Sequence, residues 1–138
     1  MNSNPNAAVI VIARILLGLM FLLAGLSKFG NLAGTGGYIA SGGLPMGNVL
    51  AIAVAVLEVV ASVALIVGFQ ARYAALALAI FTLLASVLFH NFWAVPADKA
   101  YMQQLMFLKN MAVIGGLLFV FSFGAGPASL DARRASAA

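Results

Sequence analysis

Four long apolar stretches dominate this chain, covering about residues 7–29, 46–69, 72–93 and 103–123. Each is close to or above the roughly 20 apolar residues that cross a bilayer as a helix. Polar residues are rare inside them and recur at helical spacing. In the first stretch Arg14, Gly18, Phe21, Gly25 and Lys28 follow steps of four, three, four and three. At about 100° per residue they fall within an arc of about 80°. In the second stretch Ala55, Glu58, Ser62 and Leu65 share a face, and in the third Thr82, Ser86, His90 and Trp93 do. In the fourth, Lys109 and Asn110 sit about two turns in, with Gly115 and Gly116 deeper. Small and polar side chains line helix–helix contacts in membranes, and apolar ones face lipid. The pattern predicts an all-α fold: an integral membrane four-helix bundle in up-down order, forming one domain over residues 1–138.

The connections support that order. Between the second and third stretches only about Gln70 and Ala71 remain, which forces an antiparallel hairpin. Pro45 suits the first turn of the second helix, where its missing N–H costs nothing. The connection from Gly30 to Asn48 holds half of the chain's 14 glycines. Its Gly34-Thr35-Gly36-Gly37 lacks the strand and the further glycine of a phosphate loop. It reads as a flexible or partly re-entrant interfacial loop in which Tyr38 and Ile39 dip into the interface. The link near Pro96 is polar, with Trp93 and Tyr101 as interfacial anchors. Residues 124–138 read as a flexible tail.

Composition agrees with a lipid partner. The chain is 64% hydrophobic and 7% charged, with a mean hydropathy of +1.13, against about 25% charged residues in soluble domains. Its net charge is +4 and its pI about 10.0. The seven basic residues are scattered, so no electrostatic footprint for nucleic acid forms. The first residues lack the basic region of a secretory signal, so the first apolar stretch is expected to be a retained span. Arg72, Arg133 and Arg134 lie on the face that carries the termini, with Arg14 just inside it. Lys28 and Lys99 lie on the other, with Lys109 just inside. The positive-inside rule then places both termini in the cytoplasm.

Cysteine is absent, which removes thiolate metal sites and thiolate-bound iron–sulfur clusters. With one histidine, His90, a haem between two histidines cannot form within one chain. No metal centre is expected, and Met102, Met106 and Met111 read as packing residues.

Glu58 is the outstanding chemical feature. It is the only ionisable residue between Asn48 and Gly68. A carboxylate in hydrocarbon costs about 3 kcal/mol on insertion scales and calls for a partner. From depth at about 1.5 Å per residue, Glu58 can pair with Arg14, with Lys109 or with both. Lys28, His90, Asn91 and Trp93 would then form the mouth of a site on the non-terminal side. Each has a plainer role as well. Arg14, Lys28 and Lys109 can snorkel to an interface, Glu58 can be half of a structural ion pair, and Trp93 can belong to the aromatic belt.

The ordered series Arg14-x-x-Leu17-Gly18-x-x-Phe21-x-x-x-Gly25-x-x-Lys28, then Glu58, Gly68 and Arg72, then His90-Asn91-Phe92-Trp93, resembles the DoxX family of small bacterial membrane proteins. Phe107-Leu108-Lys109-Asn110, Gly115-Gly116 and Ser129-Leu130-Asp131 continue the likeness to near the end of the chain. The resemblance implies a multi-pass protein of the bacterial inner membrane. It also implies a link to quinone chemistry, as in the small membrane subunit of a thiosulfate:quinone oxidoreductase, or to oxidative stress through soluble redox partners.

On that basis three functions stand open. The first is a quinone-binding subunit of a redox system, itself at most part of an oxidoreductase. Glu58, His90 and Lys109 are its candidates for proton chemistry, and Arg14, Lys28, Phe21, Asn91, Trp93 and Asn110 for holding the head group. The second is a non-enzymatic anchor or assembly factor for a redox partner protein, in which the polar set only fixes helix register. The third is a transporter of a small solute or of protons, through an oligomer of the chain.

Overall fold

The computed structural model describes residues 5–138, which include the whole of the expected first span. It is an all-α bundle. Helices α1 (Pro5–Gly30), α2 (Leu32–Ser41), α3 (Gly47–Val67), α4 (Ala71–Phe89), α5 (Ala97–Phe123) and α6 (Leu130–Ala137) follow one another, with a 3-10 turn at Phe92–Ala94. The helices α1, α3, α4 and α5 are long and apolar enough to cross a membrane. They pack in chain order, α1 on α3, α3 on α4 and α4 on α5, while α1 and α5 meet only loosely.

Small residues set this packing. The buried residues of α1 after Pro5 are Arg14, Gly18, Phe21 and Gly25, four of the five in the predicted stripe, and the fifth, Lys28, is half-buried. A methyl group on Gly18 would come within 3.1 Å of the Ser62 carbonyl, and one on Gly25 within 3.0 Å of the Glu58 Cβ. The two glycines, seven residues apart, therefore let α1 lie directly on α3 and fix its register. On α3 the predicted Ala55, Glu58, Ser62 and Leu65 are all buried. The core is completed by Phe21, Leu78 and Leu117 among the alanines 61, 74, 75 and 79. Outward faces carry large apolar side chains such as Leu16, Leu23, Val60, Leu84 and Phe119, as a lipid environment allows.

Two segments differ from expectation. The glycine-rich connection is largely helix α2 rather than a flexible loop. Asn31 caps it by accepting from the Gly34 N–H at 3.0 Å. Gly36 is buried and rests against the backbone of Asn48. Gly36 thus serves close approach to α3 instead of freedom. Likewise residues 124–138 are not a loose tail. They form α6 and dock on the bundle: Asp131 N–H donates to the Gly68 carbonyl at 2.8 Å. The Asp131 carboxylate accepts from Gln70 N–H at 2.7 Å and Ala71 N–H at 2.9 Å, capping α4. The turn it covers is a Schellman ending of α3, with Gly68 at φ 71°.

Candidate functional site

Glu58 is 3% exposed and faces α1. Its partner is Lys28, whose Nζ lies 2.7 Å from Oε2. The expected pairing with Arg14 or Lys109 does not form. Because Gly25 sits on Glu58 and Gly18 on Ser62 and Ile66, antiparallel α1 carries Lys28 to the level of Glu58 and Arg14 to the far end of α3. There the buried Arg14 donates to three backbone carbonyls: Ile66 at 3.1 Å, Ala128 at 2.9 Å, and Ala125. Lys109 projects outward from α5 and is exposed.

The ion pair borders a cavity of about 250 Å³. Helix α1 contributes Met20, Phe21, Ala24 and Lys28, and α3 contributes Val54 and Glu58. Thr35, Tyr38 and Ile39 of α2 cover one side. Phe81, Thr82, Ala85 and Phe89 of α4, with His90 and Asn110, close the rest. Of the sequence-derived candidates, the structure thus brings together Phe21, Lys28, Glu58, His90 and Asn110. Arg14, Asn91, Trp93 and Lys109 lie off this cavity. Trp93 instead packs edge-on against Phe92 and Phe107, with centroids 5.2 and 5.6 Å away.

A polar ladder flanks the cavity. Asn110 Nδ2 donates to Ser86 Oγ at 2.9 Å, and Ser86 Oγ donates to the Thr82 carbonyl at 2.6 Å. His90 Nδ1 pairs with Gln103 Oε1 at 2.9 Å. Glu58 Oε2 is buried and held by the Lys28 ammonium at 2.7 Å. A buried ion pair at the edge of a cavity with apolar walls and a few polar groups can bind a polar head group.

Residues that sequence reasoning missed come mostly from α2. Thr35 reaches the cavity, and Tyr38 stacks on Phe89 with centroids 4.9 Å apart. Their signal was present as Asn31 three residues before Gly34, a helix start hidden among glycines. Gln103 was missed because its partner His90 belongs to another helix.

Among known proteins, the Inner membrane protein YphA of Escherichia coli (strain K12) is 35% identical over 124 residues, covering 90% of this chain and 89% of its own length. Inner membrane protein YqjF of the same organism is 37% identical over 122 residues, 88% of each chain. A Surfeit locus protein 4 homolog of Schizosaccharomyces pombe is 29% identical over 85 residues, 60% of this chain and 28% of that protein. No solved structure matches. The DoxX family signature matches residues 9–91, from α1 through the end of α4, and ends before α5. That stretch contains both members of the buried ion pair and the glycines that align them, and the chain belongs to the DoxX family.

Proposed function

We propose that this protein is an inner-membrane, quinone-linked subunit of a redox or oxidative-stress system, with the head group of the quinone held in the Glu58–Lys28 cavity. The observation that carries this reading is the buried Lys28–Glu58 ion pair, with 2.7 Å between Nζ and Oε2, at the wall of a cavity of about 250 Å³. A quinone supplies two ring oxygens that accept hydrogen bonds, and its reduced form supplies two hydroxyl donors. Both kinds of group find complements here. Lys28 and the Asn110 amide can donate to ring oxygens. Glu58 can accept from a hydroxyl. Phe21 and the Tyr38–Phe89 stack give flat apolar walls for a ring.

The chain's own part is proton handling. Reduction of a quinone takes two electrons and two protons, and the electrons come from a partner redox protein. Lys28 gives one proton to a ring oxygen as negative charge develops there and is recharged from water through Glu58, and the second proton reaches the far ring oxygen from water. A pair of opposite charges suits this task, because either member can change protonation while the other steadies it.

Mass spectrometry of gently purified protein tests the reading, alongside thermal unfolding with and without added ubiquinone. Bound quinone, with stabilisation lost in Glu58→Gln, is the expected result. No extractable quinone together with no stabilisation would overturn it. If instead Glu58→Gln leaves both partner binding and the activity of the complex intact, the anchor role is the correct one.

A further inference from the structure

A second cavity, of about 470 Å³, lies between α1 and α5 towards the terminal face. Its walls are Ile10, Ala13 and Leu17 from α1 and Gly116, Phe119, Val120 and Phe123 from α5, with Arg14, Gly124 and Gly126 at its end. It is not a second head-group site. Its charged residue, Arg14, already has its guanidinium committed to three carbonyls. The remaining surface is hydrocarbon, and it opens outward past the exposed Phe119 and Phe123.

The position of this slot relates it to the first cavity. Ile10, Ala13 and Leu17 line one cavity, and Met20, Ala24 and Lys28 the other. At about 100° per residue all six fall on one stripe of α1, within an arc of about 80°. Lys28 and Ile10 stand about 27 Å apart along the helix, close to the thickness of the hydrocarbon core. The stripe faces the one seam of the bundle that does not close, since α1 and α5 meet only loosely. At Gly116 the missing side chain makes room for Leu17, which lies 3.2 Å from where a Cβ would stand.

We infer that the α1–α5 seam is a slot for the long hydrocarbon tail of the same amphiphile whose ring enters the Glu58–Lys28 cavity. This rests on the quinone reading and adds a substrate class to it: long-tailed isoprenoid quinones in preference to short-tailed or tail-less ones. The tail leaves the cavity past Met20, crosses Leu17 and lies against Ala13 and Phe119. The ring is thereby held at the level of Glu58 while the molecule stays in the bilayer.

The test compares a short-tailed and a long-tailed ubiquinone for binding to the full chain, at matched quinone-to-detergent ratios, by competition in thermal unfolding. The wild-type chain should prefer the long tail by about tenfold or more. Ala13→Trp fills the slot from an exposed position and should abolish that preference while leaving short-tail binding unchanged. Gly116→Leu fills it from the other wall and guards against an effect peculiar to one variant. Equal binding of both quinones to the wild type overturns the slot but leaves the head-group site standing, and the groove then takes bulk lipid. A preference that survives both substitutions overturns the slot as well. Binding of neither quinone removes the head-group reading and the slot together.

Discussion

Gly25 lies so close to Glu58 that a methyl group on it would stand 3.0 Å from the Glu58 Cβ. This approach sets the height of Lys28, which is one turn further along α1, against the carboxylate. Gly25→Val should push the helices apart, at a cost of about 1–3 kcal/mol for overpacking. Thermal unfolding in detergent measures the loss. Gly30→Ala, with nothing within 4 Å of its would-be Cβ, is the control and should be close to neutral.

The ion pair itself invites a double-mutant cycle. Lys28→Met leaves a buried carboxylate without its counter-charge and should destabilise by about 3 kcal/mol, the low end of the range because part of Lys28 is exposed. Adding Glu58→Gln to that variant should recover most of the loss. Additive effects in the unfolding midpoints would show that the 2.7 Å contact contributes nothing.

The stripes on α1 and α3 were legible before the fold was known. Spacing alone identifies Arg14, Gly18, Phe21 and Gly25, and all four are buried. The partner of Glu58 was not legible. Depth counted from the end of an apolar stretch locates a residue within its own helix, whereas the pairing depends on how two helices slide past each other. Gly18 and Gly25 decide that through close contact with α3, a relation between helices that spacing along one cannot express. Helix α2 was obscured for a related reason: glycine signals freedom in isolation and close approach when a second backbone is present.

On the terminal face, Asp131→Ala should remove the cap of α4 and cost about 1 kcal/mol. Arg14→Lys should cost more, because one ammonium cannot serve three carbonyls on two segments as the planar guanidinium does. Both are measured as shifts in unfolding midpoint. A larger effect from Asp131→Ala than from Arg14→Lys would contradict this ranking.

Between α4 and α5, Asn110→Leu removes the 2.9 Å bond to Ser86. Interhelical bonds of this kind contribute about 0.6 kcal/mol in membrane proteins, so the stability loss should be small. Quinone-dependent stabilisation should fall further than stability itself, since Asn110 also borders the cavity. Loss of stability without any change in quinone response would assign Asn110 to packing alone.

Asp131 caps a helix whose first residues precede it by about sixty positions, and Arg14 finds two of its three acceptors beyond Phe123. During synthesis, α1 to α4 therefore enter the membrane with an uncapped turn and an arginine short of acceptors. Both are resolved only when the segment after α5 arrives on the same side of the bilayer. We expect that late closure to act as a check on topology. A chain whose α5 fails to cross delivers residues 125–131 to the wrong face, and its bundle stays unlatched.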